Sequence, residues 1–191
     1  TFDQFTYDAE GQLVTFVDPA ARATTYTYDP RGKITRTTFA DGSHIQATYN
    51  EFSRLVSETD QLGFTTTYEY DLLGNRVLSR DPLGHVTRYT YNAKRACTSI
   101  TDAINRTTHF DYDYLNRNTR ITYPDQTFNT FQYLGREMAS ETGEAGQVSA
   151  NGFDLLGRHV AVTNALGEVS QLSYDQVGNL ISAQAADGRT T

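Results

Sequence analysis

Apolar and polar residues alternate with a period of two over short segments, and each segment ends in a cluster of Gly, Pro, Asp or Asn. Tyr26 and Tyr28 fall on one side of the alternation, as do Tyr68 and Tyr70, Tyr89 and Tyr91, Phe110 and Tyr112, and Phe131 and Tyr133. A period of two predicts strands with one aromatic face. Apolar residues at helical spacing never continue past one turn before Gly or Pro interrupts, so no long helix is expected. On the following segments Val14 and Phe16 share a face, and Val56, Val77, Val160 and Ile181 take the place of Val14. Equivalent side chains on neighbouring strands should stack into ladders.

The pattern repeats. Tyr7, Tyr28, Tyr49, Tyr70, Tyr91, Tyr112 and Tyr133 recur every 21 residues, and after a slip Phe153 and Tyr174 resume the interval. A fixed period of this length is the mark of a repeat architecture. We read residues 1–191 as one array of about nine units with a slip near 125–153. Gly135 follows Tyr133 by two residues, where Gly11, Gly32 and Gly74 follow their tyrosines by four, while Phe131 with Gly135 restores the spacing. A two-residue deletion between Asp125 and Gly135 is therefore expected.

Each unit carries two turn signals. The first is an aromatic followed by Asp or Asn and then Gly: Tyr7-Asp8 with Gly11, Tyr28-Asp29 with Gly32, Tyr70-Asp71 with Gly74, Phe153-Asp154 with Gly157, and Tyr174-Asp175 with Gly178. Tyr49-Asn50, Tyr91-Asn92 and Tyr112-Asp113 keep the start, with Ser53, Arg95 and Asn116 in place of Gly. The side-chain oxygen can accept a backbone N–H two residues on, and Gly supplies the positive φ that reverses the chain. The second signal is clearest at Asp81-Pro82-Leu83-Gly84 and recurs at Asp18-Pro19, Asp41-Gly42, Asp60, Tyr123-Pro124-Asp125, Asn164 and Asp187-Gly188. Two turns per 21 residues leave two strands of about five to seven residues. Eighteen or so strands about 4.8 Å apart would span roughly 80 Å if flat, and accumulated twist predicts a curved, spirally wound antiparallel sheet instead.

Composition agrees with an all-β chain. There are 28 Thr, 13 Tyr and 10 Phe against one Met and no Trp, and Thr and aromatics suit half-buried strands. A net charge of -7, spread as single charges, argues against nucleic-acid binding. Cys97 is the single cysteine, so no disulfide within the chain and no cysteine zinc site is expected. No apolar stretch is long enough for a membrane helix, and Thr1 reads as a cut point inside a longer polypeptide.

The units Thr6-Tyr7-Asp8-Ala9-Glu10-Gly11-Gln12-Leu13, Tyr70-Asp71-Leu72-Leu73-Gly74-Asn75-Arg76 and Phe153-Asp154-Leu155-Leu156-Gly157-Arg158 closely resemble the YD repeats of RHS proteins. The resemblance covers essentially the whole chain. It implies a hairpin-rich sheet that winds into a hollow shell, in bacterial members around the toxic C-terminal segment of the same polypeptide, and in teneurins within an adhesion receptor; insecticidal toxin complexes carry a related shell. With one cysteine and one glycosylation sequon, Asn105-Arg106-Thr107, the bacterial reading fits better. It implies synthesis in a bacterial cytoplasm and export, with neighbouring repeats, the enclosed toxin and secretion machinery as partners. Asp81-Pro82-Leu83-Gly84 resembles the opening of the family's self-cleaving end region, but ordinary repeat follows it, so Asp81 reads as a turn residue.

Little else suggests chemistry. His44, His85, His109 and His159 lie far apart at different phases, and Asp111 with Asp113 reads as a turn acid beside an isolated carboxylate. Cys97 is expected to be a small buried filler. Arg54, Arg117, Arg136 and Arg158, with Lys33, directly follow the turn Gly position and are expected to blunt exposed turns or pair with turn acids. No catalytic residue, cofactor or metal site is assigned. The expected function is a structural container wall; the competing one is a glycan- or surface-binding module that stacks sugars on Tyr89 or Tyr91, and an enzyme ranks last.

Overall fold

A computed structural model describes residues 2–190, and all the regular structure in them is β. The strands pair antiparallel with their chain neighbours, and the sheet is open. Two compact units divide the chain: residues 1–90 with 102–104, and residues 91–101 with 105–191.

The first unit holds β1 (Gln4–Tyr7), β2 (Leu13–Val17), β3 (Ala23–Tyr28), β4 (Ile34–Thr38), β5 (His44–Tyr49), β6 (Leu55–Thr59), β7 (Thr65–Tyr70), β8 (Arg76–Arg80) and nearly all of β9 (Val86–Tyr91). The second holds β10 (Cys97–Thr101), β11 (Thr107–Tyr112), β12 (Asn118–Thr122), β13 (Phe128–Leu134), β14 (Glu137–Thr142), β15 (Val148–Phe153), β16 (His159–Thr163), β17 (Val169–Tyr174) and β18 (Leu180–Gln184). Odd strands bring the aromatics to the first turn of each unit, and even strands lead away to the second.

Neighbouring strands share only part of their length. In β3, Ala23, Thr24 and Thr25 pair with Val17, Phe16 and Thr15, whereas Thr25, Tyr26, Thr27 and Tyr28 pair with β4. Each strand thus divides its ladder between two neighbours. The aromatic-turn hairpins also carry a β-bulge at a constant place: opposite Tyr28 the register steps from Arg36 to Ile34, leaving Thr35 extra, and the same step falls at Tyr7, Tyr49, Tyr70, Tyr112, Tyr133, Phe153 and Tyr174. A bulge bends its strand and increases local twist. Val14, Val56, Val77, Val160 and Ile181 are the bulged residues, so simple alternation with Phe16 stops there.

The slip has a different form from the one expected. Tyr133 pairs with Met138 and Leu134 with Glu137, enclosing a two-residue loop of Gly135 and Arg136. Elsewhere three residues are enclosed, as when Asp113 closes on Arg117. One residue is missing, from the loop after Tyr133, and Gly135 moves to its first position with φ 60°. Gly at that position is what a two-residue hairpin turn of this kind requires. Counting from glycine alone reads the move as a second missing residue.

The sheet is one layer thick, with no hydrophobic residue fully buried among the described residues. Leu72 and Leu155 at turn tips are fully exposed. Stability therefore rests on ladders, turns and half-buried aromatics.

Candidate functional site: the rim of aspartate turns

The first turns are built alike, except for the shortened one after Tyr133. At Asp29 the backbone N–H donates to the Lys33 carbonyl and the Gly32 N–H to the Asp29 carbonyl, each at 2.9 Å. The Asp29 Oδ1 accepts the N–H groups of Arg31 and Lys33, also at 2.9 Å each. Gly32 has φ 78°, in the left-handed region. Asp8, Asn50, Asn92, Asp113, Asp154 and Asp175 take the same two N–H groups, which would otherwise lack partners in a tight loop. Ser53, Arg95 and Asn116 adopt positive φ in place of Gly, with the strain that a side chain brings there.

Hydrogen bonds within the turn hold the carboxyls of Asp29, Asp71, Asp154 and Asp175 below the ordinary carboxylate range. For Asp154 the Arg158 backbone N–H is the largest cause, opposed by desolvation and supported by the Arg158 side chain. For Asp71 and Asp175 the side-chain amides of Asn75 and Asn179 come first.

The second turns share the backbone geometry, but not always the carboxylate. Asp18, Asp60, Asp81 and Asn164 cap their loops as Asp29 does. In the turns opened by Phe39 and Tyr123, Asp41 and Asp125 stand two places later and take the Ser43 and Thr127 N–H groups.

Consecutive first turns are cross-linked, three times by an arginine four places after the turn Asp or Asn and, from the turns of Asp29 and Asn92, by Arg31 and Lys94 two places after it. Arg158 binds its own Asp154 Oδ2 through Nε at 2.7 Å, reaches the Asp175 carbonyl of the next turn at 3.3 Å, and lies 4.7 Å from the Tyr174 ring centroid. Arg117 binds Asp113 Oδ2 at 2.7 Å, donates to the Gly135 carbonyl and stacks 4.2 Å from Tyr133. Arg54 lies between Phe52 and Tyr70 and donates to the Asp71 carbonyl at 3.5 Å. These arginines tie turn to turn, a larger role than the solvated pairing expected of them. Arg136 falls inside the shortened loop.

Below the turns the tyrosines act as latches. The hydroxyls of Tyr28, Tyr70, Tyr112 and Tyr133 donate to the carbonyls of Leu13, Leu55, Cys97 and Asn118 at 2.7, 2.8, 2.7 and 2.7 Å. Each acceptor opens the preceding strand, beyond the last backbone pair of that junction. The repeat tyrosine thus satisfies a carbonyl that the divided ladder leaves open. Neither the latch nor the bulge was foreseen from sequence; the constant phase of Arg54, Arg117 and Arg158 was the visible trace of the cross-links.

The other candidates are absorbed by structure. Asp81 Oδ1 takes two backbone N–H groups, while its Oδ2 sits 2.8 Å from His85 Nδ1 on an exposed turn. Asp111 lies opposite Arg120, and His159 packs on Phe153 at 4.5 Å. Cys97 is half-buried, not a buried filler; its thiol donates to the Ser99 carbonyl and desolvation raises its pKa. Among the described residues no group of three His, Cys, Asp or Glu gathers as a metal site would need. Tyr89 and Tyr91 are half-buried, and Arg76 stacks 5.0 Å from the Tyr89 ring. Among the described residues no helix is long and apolar enough to cross a membrane.

The RHS Repeat family matches residues 7–44, 49–84 and 153–190. The same bulged hairpins fill the intervening second-unit segment, at Tyr112 and Tyr133. The Photorhabdus luminescens Tc holotoxin pore with a mutated TccC3 has TM-score 0.59 and 14% identity, over 96% of this chain and 13% of that one. TcdB2-TccC3 without its hypervariable C-terminal region has TM-score 0.59 and 12% identity over 96% and 13%. TcdB2-TccC3-TEV has TM-score 0.51 and 17% identity over 96% and 12%. At such identities the likeness is one of fold, and the chain spans a small part of each of these structures. No curated protein matches it.

Proposed function

The chain belongs to the RHS repeat family, and from that premise we propose that it is a segment of the wall of a shell enclosing a toxin or effector domain of the same polypeptide. The observation that carries this is a one-layer sheet whose turn aspartates, arginines and tyrosines are spent on holding hairpin to hairpin. Such a wall separates two spaces by geometry alone. It needs no reaction centre, and the reading is non-enzymatic, with neighbouring repeats and the cargo as partners and export from a bacterial cell as the setting. Sugar stacking on Tyr89 or Tyr91 is disfavoured, because both rings are half-buried and Arg76 stacks on Tyr89.

The test uses the full-length polypeptide and limited proteolysis of its C-terminal segment. Replacing Gly32 and Gly74 with Val, which the left-handed φ at both sites opposes, should expose that segment to protease at concentrations the parent resists. Equal resistance in parent and variant sinks the enclosure reading. Hydrolytic activity that disappears with Asp81→Asn sinks the non-enzymatic one.

A further inference from the structure

The second turns are not all alike, and two of their departures coincide. Asp18, Asp60, Asp81, Asp102 and Asn164 open theirs with a polar cap, whereas Phe39 and Tyr123 open theirs with an aromatic ring and set the acid two places later, at Asp41 and Asp125. The turn just before each ring is closed by an arginine, Arg22 and Arg106. Arginine, ring and acid thus occur as a set in the first unit and again, four repeats later, in the second.

Each set lines a cleft between its two turns. The first has a volume of about 320 Å³ and is walled by Phe39, Asp41, Arg22, Phe16 and Thr24. The second, of about 470 Å³, is walled by Tyr123, Pro124, Asp125, Arg106 and Glu144. Both fall in the range of small-molecule sites, about 300–1,000 Å³. Phe39 and Tyr123 are half-buried. Asp41 Oδ1 accepts the Ser43 N–H at 2.9 Å and its hydroxyl at 2.6 Å, and Asp125 Oδ1 accepts those of Thr127 at 3.0 and 2.6 Å. These bonds, the hydroxyl first, hold both carboxyls below the ordinary range, so both are anionic at neutral pH. Among the described residues Oδ2 of Asp41 and of Asp125 has no hydrogen-bond partner. Arg22 binds Asp18 Oδ2 through Nε at 2.6 Å, and its side chain is otherwise 74% exposed.

Charges of both signs beside a ring select against ions. A small anion is repelled by Asp18 and Asp41, and a small cation by Arg22. A neutral ring bearing adjacent hydroxyls meets neither penalty, because a hydroxyl donates to a carboxylate as readily as it accepts from a guanidinium. We propose that each cleft binds a neutral saccharide, with one face of the sugar ring on Phe39 or Tyr123 and its hydroxyls shared between Asp41 and Arg22, or Asp125 and Arg106. Each cleft is a surface feature of the hairpin ends, so this binding goes beyond the wall reading and stands or falls apart from cargo enclosure.

A printed array of neutral hexose and N-acetylhexosamine oligosaccharides tests it, with heparin fragments as the anionic probe and oligolysine as the cationic one. Neutral sugars should capture the chain. Phe39→Leu combined with Tyr123→Leu keeps an apolar side chain at each half-buried position and should weaken capture about ten-fold, with either change alone costing less. In the Tyr123→Leu background, where one cleft remains, Arg22→Gln should lower capture several-fold without touching a ring. Circular dichroism should report an unchanged sheet in each variant, and Leu62→Ala, at an exposed second-turn tip, should leave capture as it was. Failure of every neutral sugar to bind overturns the proposal. So does retention only by heparin fragments or oligolysine, capture untouched by Arg22→Gln in that background, or an equal loss with Leu62→Ala.

Discussion

The hydroxyl of Tyr133 donates to the Asn118 carbonyl at 2.7 Å, the bond that Tyr112 makes to the Cys97 carbonyl one repeat earlier. It places Tyr133, and not Phe131, in register with the other repeat tyrosines even though its turn is one residue short. The strand keeps its phase because latch and ladder act on residues before the loop. The deletion is absorbed where the backbone is least constrained.

Removing a latch should cost little at one site. Tyr70→Phe keeps the ring under Arg54 and leaves the Leu55 carbonyl without its donor, so about 1 kcal/mol of stability should be lost. Urea unfolding followed by circular dichroism would show a lower midpoint with an unchanged slope. An unaltered midpoint would mean that solvent replaces the hydroxyl without penalty.

Gly74 and Gly84 separate backbone strain from crowding. Their φ values are 89° and 88°, but a Cβ on Gly74 would lie 2.5 Å from Arg54 Cζ, whereas one on Gly84 meets nothing within 4 Å. Gly84→Ala should cost about 1 kcal/mol from conformation alone. Gly74→Ala should cost more, because Arg54 must leave Tyr70 and the Asp71 carbonyl. The excess should vanish when Arg54→Ala is already present; if it persists, the crowding argument is wrong.

Gln12 stands where Arg54, Arg117 and Arg158 stand in other repeats, and its buried Oε1 has no hydrogen-bond partner. Gln12→Arg should stack on Tyr28 and reach the Asp29 carbonyl, a gain of about 0.5–1 kcal/mol. A raised melting temperature checks this. A loss would show that the first junction differs from its successors.

Acid should loosen the rim. Asp71, Asp154 and Asp175 have folded-state pKa values below their ordinary ones, so the unfolded chain binds protons first as pH falls. Their contribution is complete above the unfolded carboxyl value of about 4 and is lost progressively below it. Stability measured by denaturant should be level with respect to these groups above about pH 5 and decline beneath pH 4. Asp71→Asn, which keeps an oxygen acceptor as Asn50 does, should flatten that decline. An equally steep decline in the variant would remove the turn carboxylate as its cause.

Much of the architecture is local and therefore legible in the chain. Hairpin length follows from two turn signals per 21 residues, and strand identity from aromatics at every second position; both are properties of a few neighbouring residues whose allowed φ values and hydrogen bonds are short-ranged. What the tertiary structure alone decided spans adjacent hairpins: the bulge opposite each aromatic, the division of each strand between two neighbours, the tyrosine bond to a residue 15 positions back, and the arginine that joins successive turns. A residue pattern states which side a ring faces, but the carbonyl it meets depends on how far the next strand has slid along its ladder. That displacement is fixed by the packing of hairpin against hairpin, and no single repeat contains it.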